Sequence, residues 1–141
     1  MILTCQSILM TYFMVILDTS FLVAYFREAD VHHAKALKLA EELRGEKMVI
    51  TFLVFQELAS ILNRKVSTEF SASVTKRLLM PDSSIELFKL DESYFEEVLA
   101  LYESLGPHSF SYVDVSLIHL SKELELSVLT FDKELEKALA S

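Results

Sequence analysis

Short, mostly apolar runs alternate with longer segments of helical periodicity, and this alternation constrains the fold more than any other feature of the chain. The runs at residues 14–17, 48–50, 85–88 and 127–130 have the length of buried strands and contain β-branched residues. A segment with helical character follows each run. This order predicts right-handed crossovers and a parallel sheet covered by helices on both faces, so the predicted fold class is α/β.

Capping residues and helix breakers set the limits of the predicted helices. Thr51, Asp91, Ser111 and Asp132 each precede a helical pattern as a cap. Gly45 marks the end of the helix before Thr51, and the Gly106-Pro107 pair ends the helix that Asp91 caps. The predicted helices cover residues 21–26, 31–43, 52–65, 71–79, 91–104, 111–123 and 132–140.

The length of 141 residues suits one domain with a sizeable core, which we place at residues 14–141. Residues 1–13 have no clear periodicity, and we interpret them as an N-terminal extension, with Met14 as an alternative natural start. The uncharged run that ends at Leu17 lacks the basic start of a signal peptide and the length of a membrane span. The single Cys5 excludes an intrachain disulfide, so we expect a soluble, cytoplasmic protein without a membrane partner.

Four acidic residues lie in apolar or small-residue surroundings. They are Asp18 in VILDTS, Glu57 in FQELAS, Asp114 in SYVDVS and Asp132 in VLTFDKEL. Each has an ordinary explanation, because Asp18 and Asp132 are in N-cap positions, Asp114 follows Ser111 at capping-box spacing, and Glu57 has polar neighbours. Asp18 and Asp132 also follow predicted strands, and sites in open α/β sheets form at the carboxyl ends of the strands.

The four acids together indicate more than capping. Carboxylates that meet at one rim raise one another's pKa unless cations neutralise them, and Mg²⁺ or Mn²⁺ prefers such oxygen ligands. A bound divalent cation activates water and stabilises charge on a phosphoryl group, which is the chemistry of a nuclease. The net charge of −8 argues against broad attraction to nucleic acid, but cations between carboxylates and phosphates remove that objection.

Four segments, in order, resemble the PIN-domain ribonucleases, and most closely the VapC toxins of toxin–antitoxin pairs. The segments are VILDTSFLVAYF, TFLVFQELASIL, SYVDVSLIHLSKE and SVLTFDKELEK. The resemblance implies a three-layer α/β/α domain with a central parallel sheet of four to five strands. It also implies a Mg²⁺- or Mn²⁺-dependent endoribonuclease that forms a homodimer and is blocked by a cognate antitoxin protein.

By the same resemblance, the metal-binding and catalytic acids are Asp18, Glu57, Asp114 and Asp132. Glu57 is either a ligand or a group that orients the attacking water. Thr19, Ser20 and Thr130 match the polar positions beside the acids and are expected to support them. Phe131 is uninformative.

Two other functions stay open at this point. A receiver-like α/β protein would carry a phosphoaspartate, but it should have two adjacent early acids, and Asp18 has no acidic neighbour. A PIN-like binding or assembly module without activity would not need all four acids.

Other candidate groups have simpler explanations. His32 and His33 point to different sides of a helix and are interpreted as a solvated helix start rather than as metal ligands. His119 is expected to pack at a partly buried edge. The helix at residues 52–62 is apolar on nearly every side, so we expect part of residues 52–79 at the homodimer interface.

Overall fold

The computed structural model describes residues 14–106 and 110–141, and within these ranges four strands alternate with seven helices. The strands are β1 (Met14–Leu17), β2 (Lys47–Thr51), β3 (Ile85–Phe88) and β4 (Ser127–Leu129). The helices are α1 (Thr19–Phe26), α2 (His33–Glu42), α3 (Phe52–Lys65), α4 (Thr68–Leu78), α5 (Glu92–Ser104), α6 (Tyr112–Leu124) and α7 (Lys133–Ala140). The predicted extension at residues 1–13 lies outside the described residues.

The strands form one parallel sheet in the order β3-β2-β1-β4. β1 is a central strand, since Ile16 pairs with Val49 of β2 on one side and with Val128 of β4 on the other. Helices flank the sheet, so the predicted PIN-like α/β/α architecture is confirmed. Because the strands are parallel, the residues that follow β1, β2 and β4 emerge at the same edge of the sheet.

The core explains the long apolar run around β1. Ile16 and Leu17 at the end of β1 are fully buried, and the following helix α1 buries Phe21, Leu22 and Ala24 as well. A strand and a helix that are both enclosed need apolar residues on all sides, so neither shows an alternating or amphipathic pattern. The polar residues within this run are therefore the ones that need a separate explanation.

The predicted limits of helices and strands agree closely with the structure, and one of the differences has a clear local cause. α3 and β3 begin and end at the predicted residues. α4 begins at Thr68 rather than at residue 71, because the Ser67 hydroxyl accepts a hydrogen bond from the Phe70 backbone and caps the helix earlier. α1 begins at Thr19, two residues before the predicted start. Among the described helices, none is both long and apolar enough to span a bilayer.

Candidate active site

Asp18 follows β1 directly and is 4% exposed. It occupies the N-cap position of α1, but its side chain makes no capping hydrogen bond to that helix. Instead, its Oδ2 accepts hydrogen bonds from the hydroxyls of Ser20, at 2.8 Å, and Thr130, at 2.7 Å. Capping therefore does not explain the Asp18 carboxylate, which is held in place by hydroxyl groups from two separate parts of the chain.

Thr130 and Asp132 follow β4, the strand that pairs with β1. The Thr130 Oγ1 lies 3.1 Å from the Ser20 Oγ and accepts a 3.0 Å hydrogen bond from the backbone of Asp132. Oδ1 of Asp132 accepts hydrogen bonds from the backbone of Glu134 and Leu135, so this residue does cap α7. Thr130 consequently links the two acids that follow adjacent strands.

Asp114 lies in the first turn of α6 and is half-buried. Its Oδ2 accepts a 3.2 Å hydrogen bond from the Ser111 backbone, and the Ser111 hydroxyl accepts one from the Asp114 backbone, so the predicted capping box exists. Burial raises the pKa of the Asp114 carboxyl, and the negative charges of Asp18 and Asp132 raise this pKa further. The three aspartates are thus close enough to interact electrostatically.

Glu57 lies on the half-buried side of α3, and its side chain extends to the start of α1 beside Asp18. Its Oε2 accepts a hydrogen bond from the Thr19 hydroxyl. Burial raises the pKa of the Glu57 carboxyl despite this hydrogen bond, and the charges of Asp18 and Asp114 add to the increase. The four predicted acids therefore lie near enough for their charges to interact, and each of the three predicted polar residues contacts one of them. Within residues 14–106 and 110–141, however, no three of these acids have ligand atoms that all lie within 4.8 Å of one another.

Each of the four carboxylates uses one oxygen for hydrogen bonds and keeps the other without a donor among residues 14–106 and 110–141. The oxygens that accept hydrogen bonds are Oδ2 of Asp18, Oε2 of Glu57, Oδ2 of Asp114 and Oδ1 of Asp132. None of the four acids forms an ion pair with Lys or Arg in this part of the chain. Uncompensated carboxylates with one available oxygen each match the ligand preference of a hard divalent cation.

A second group of possible metal ligands lies elsewhere, between α5 and α6. One ligand atom each from Glu97, His119 and Glu123 lies within 4.8 Å of the others. The two glutamates are exposed, and His119 Nε2 is 2.8 Å from Glu97 Oε2. The side chain of His119 is only 18% exposed, in agreement with the predicted partly buried edge. This group contains none of the four acids, and the His119–Glu97 contact explains its arrangement without a cation.

Three residues near the acids received no site role from the sequence, in which His32 was interpreted as part of a solvated helix start and Phe131 as uninformative. The ring of His32 stacks on the ring of Phe131 with centroids 4.7 Å apart, and the Lys35 ammonium lies 5.7 Å from the Phe131 centroid. His32 is exposed, as expected for a solvated helix start, but it is not isolated. The one sequence feature that could have indicated this contact is the aromatic residue between Thr130 and Asp132. Nothing in the local sequence links that residue, Phe131, to His32.

Comparison with known proteins identifies the family of the chain and a structural relative. The family described as PIN domain matches residues 15–139. The fold is similar to that of the Mycobacterium tuberculosis toxin VapC20, which is described as cleaving the sarcin-ricin loop, with a TM-score of 0.77 and 18% sequence identity. That match covers 88% of this chain and 94% of the toxin. No curated protein matches the sequence.

Proposed function

The chain belongs to the PIN domain family, and from this membership we propose that it is a divalent-metal-dependent endoribonuclease that hydrolyses RNA phosphodiester bonds. The observation that carries the proposal is the group of four carboxylates. In each of them one oxygen accepts a hydrogen bond, and the other accepts none from residues 14–106 and 110–141. Because the chain belongs to this family, its α/β fold is no longer a reason to consider a receiver-like phosphoaspartate protein.

In the proposed site, Asp18, Asp114 and Asp132 would hold Mg²⁺ or Mn²⁺. A bound ion would supply chemistry that the side chains lack, since it would lower the pKa of water and stabilise negative charge on the phosphoryl group. Ser20 and Thr130 hold Oδ2 of Asp18 and so restrict the orientation of its carboxylate, which reduces the rotamer freedom that the side chain would lose on binding an ion.

Glu57 has the most distinct role in this proposal. Thr19 holds one of its oxygens, and its raised pKa makes it a better proton acceptor than an ordinary carboxylate. We assign it either as a further ligand or as the group that orients the attacking water and accepts its proton. The variant Glu57→Gln separates these roles, because a lost ligand weakens metal binding whereas a lost base slows cleavage at saturating metal.

The experiment that tests the proposal compares two aspartate-to-asparagine variants. Asp132 and Asp91 are both N-caps that accept hydrogen bonds from backbone groups, but only Asp132 is near the other acids. Since asparagine also caps helices, both variants should fold. We expect wild type and Asp91→Asn to cleave single-stranded RNA in Mn²⁺, EDTA to stop cleavage, and Asp132→Asn to lose it. No cleavage by wild type with either cation, or full cleavage by Asp132→Asn, would reject the proposal and favour a binding module.

The likeness to a VapC fold further supports a proposal that the chain is the toxin of a toxin–antitoxin pair. This predicts that induced expression arrests growth of a bacterial host, that Asp114→Asn does not, and that a cognate antitoxin binds the protein and stops RNA cleavage. Growth arrest by wild type and Asp114→Asn alike would separate toxicity from the acidic site and contradict this part of the proposal.

A further inference from the structure

The rings of His32 and Phe131 form a stacked pair beside the four acids. Their planes are inclined by 21°. Phe131 is half-buried and packs at 5.8 Å against the buried ring of Phe21, whereas His32 is exposed at the start of α2. Phe131 therefore packs between the core and the His32 ring, and the His32 imidazole is the solvent-exposed member of the pair.

Hydrogen bonds connect this stacked pair to Asp18 through Ser20. The Phe131 backbone donates a 2.9 Å hydrogen bond to the Ser20 hydroxyl, and that hydroxyl donates to Asp18. At the other end, the His32 backbone donates to the Asp30 carboxylate, and Nδ1 of His33 lies 2.7 Å from the Ala24 carbonyl oxygen. These contacts fix the start of α2 relative to the acids, so the position of the His32 ring is determined by the fold and not only by its own rotamer.

Lys35 adds a positive charge at the same place. It is exposed, one turn after His32 on α2, and its ammonium lies over the Phe131 ring. In a chain with a net charge of −8, a cation beside four carboxylates has a specific consequence for an anionic substrate. A phosphate that binds beside Lys35 would meet one positive charge where the carboxylates otherwise repel it.

We propose that His32, Lys35 and Phe131 form a nucleotide-binding subsite beside the acids, in which one base stacks on His32 and an adjacent phosphate contacts Lys35. An aromatic face next to a cation is the combination that binds single-stranded nucleic acid without reading base edges. This inference rests on the proposed function and adds to it the residues that contact one base and one phosphate beside the acids; the base must be unpaired, since a base within a duplex cannot present its face to His32.

The experiment uses wild type, His32→Ala, His32→Phe, Lys35→Ala and Lys38→Ala. Lys38 is the matched control, because it is an exposed lysine one turn further along the same helix, whereas among residues 14–106 and 110–141 only the Lys35 ammonium lies over the Phe131 ring. The two probes are a fluorescent mixed-sequence single-stranded RNA and a ribose-phosphate oligomer of the same length without bases. Kd is measured by anisotropy in Ca²⁺, and KM and kcat are measured with the RNA in Mn²⁺.

We expect His32→Ala to raise Kd and KM for the RNA by about fivefold or more, as loss of one stacked base does, with little change in kcat. The same variant should not change Kd for the oligomer without bases, and His32→Phe should restore RNA binding. Lys35→Ala should weaken binding of both probes, and Lys38→Ala should weaken neither by as much.

The outcomes separate this inference from the proposed function. If wild type cleaves RNA but His32→Ala and Lys35→Ala keep wild-type Kd and KM, the subsite is wrong and the nuclease assignment stands. Equal effects of Lys35→Ala and Lys38→Ala would show a general charge effect and also overturn the subsite. If wild type does not cleave RNA but the expected Kd pattern appears, the proposed function fails while the binding subsite stands.

Discussion

The Thr130 hydroxyl donates a 2.7 Å hydrogen bond to Oδ2 of Asp18, and this contact joins residues that are 112 positions apart. The two residues follow adjacent strands, β4 and β1, in which Leu129 pairs with Leu17. The bond fixes a buried carboxylate that makes no capping bond to its own helix. Asp18 is therefore positioned by the sheet and by side chains around it, and the first two predictions test what this positioning achieves.

The variant Asp18→Asn should separate electrostatic repulsion from structural support. The charge of Asp18 raises the pKa of both Glu57 and Asp114, so its removal should leave the metal-free protein equally stable or more stable. A gain of about 1 kcal/mol would raise Tm by roughly 3 °C in a domain of this size. Mn²⁺ should raise the Tm of wild type but hardly that of the variant, because an amide is a poorer ligand.

Scanning calorimetry with and without Mn²⁺ measures both effects, and Asp91→Asn is the control because it changes an exposed capping acid. An equal response of wild type and Asp18→Asn to Mn²⁺ would mean that Asp18 does not bind the ion.

Thr130→Val should weaken metal binding through loss of orientation. Valine has nearly the same shape but removes the donor to Asp18 and the acceptor for the Asp132 backbone. We expect a loss of about 1–2 kcal/mol in stability and of roughly 10- to 100-fold in Mn²⁺ affinity. Titration calorimetry measures the affinity, and Thr130→Ser, which keeps the hydroxyl, should remain near wild type. Similar losses in both variants would indicate a packing effect instead.

The stability of the metal-free protein should carry a pH signature of the acidic site. The pKa values of Glu57 and Asp114 are raised in the folded state, so the folded protein binds more protons than the unfolded chain just above the ordinary carboxyl pKa. Stability from these groups therefore falls as the pH rises from about 4 through the raised pKa values. Asp114→Asn removes one of the two groups and also the smaller of the two charge repulsions on Glu57, the larger being that of Asp18.

The difference in Tm between Asp114→Asn and wild type should therefore increase in favour of the variant across this pH range. Comparing the two proteins cancels the contributions of other carboxyls, such as Asp91, whose pKa is lowered by hydrogen bonds. A Tm difference that is constant with pH would contradict the prediction. Added Mn²⁺ should reverse the trend for wild type, because metal and protons compete for the same oxygens.

The proposed homodimer with part of residues 52–79 at its interface stays a prediction with a direct test. Within that region Leu79, at the end of α4, is 59% exposed, and on a different helix Leu99 is 48% exposed. We expect light scattering to find a wild-type dimer at micromolar concentration, Leu79→Lys to shift it to a monomer, and Leu99→Lys to leave it unchanged. Dissociation by Leu99→Lys alone would place the interface on α5, and a wild-type monomer would remove the dimer altogether.

Local sequence patterns determined most of the fold. The apolar runs and their capping residues predicted the four described strands and the helices between them, because periodicity and caps act within a few residues. The same patterns placed Asp18 and Asp132 at strand ends, and parallel strands place such residues at one edge whichever neighbours they have. The approximate meeting of these two acids was therefore predictable without coordinates.

The hydrogen-bond partners of individual carboxylate oxygens were decided only by the tertiary structure. The sequence offered the same capping explanation for Asp18 and Asp132, but only Asp132 makes capping bonds, while Asp18 is held by Ser20 and Thr130. The contact of Thr19 with Glu57 and the stack of His32 on Phe131 were equally invisible. Such contacts join residues that are distant in the sequence, and they depend on side-chain directions that follow from the strand order β3-β2-β1-β4. A periodic pattern within one segment cannot predict them, because it does not show which other segment will pack beside it.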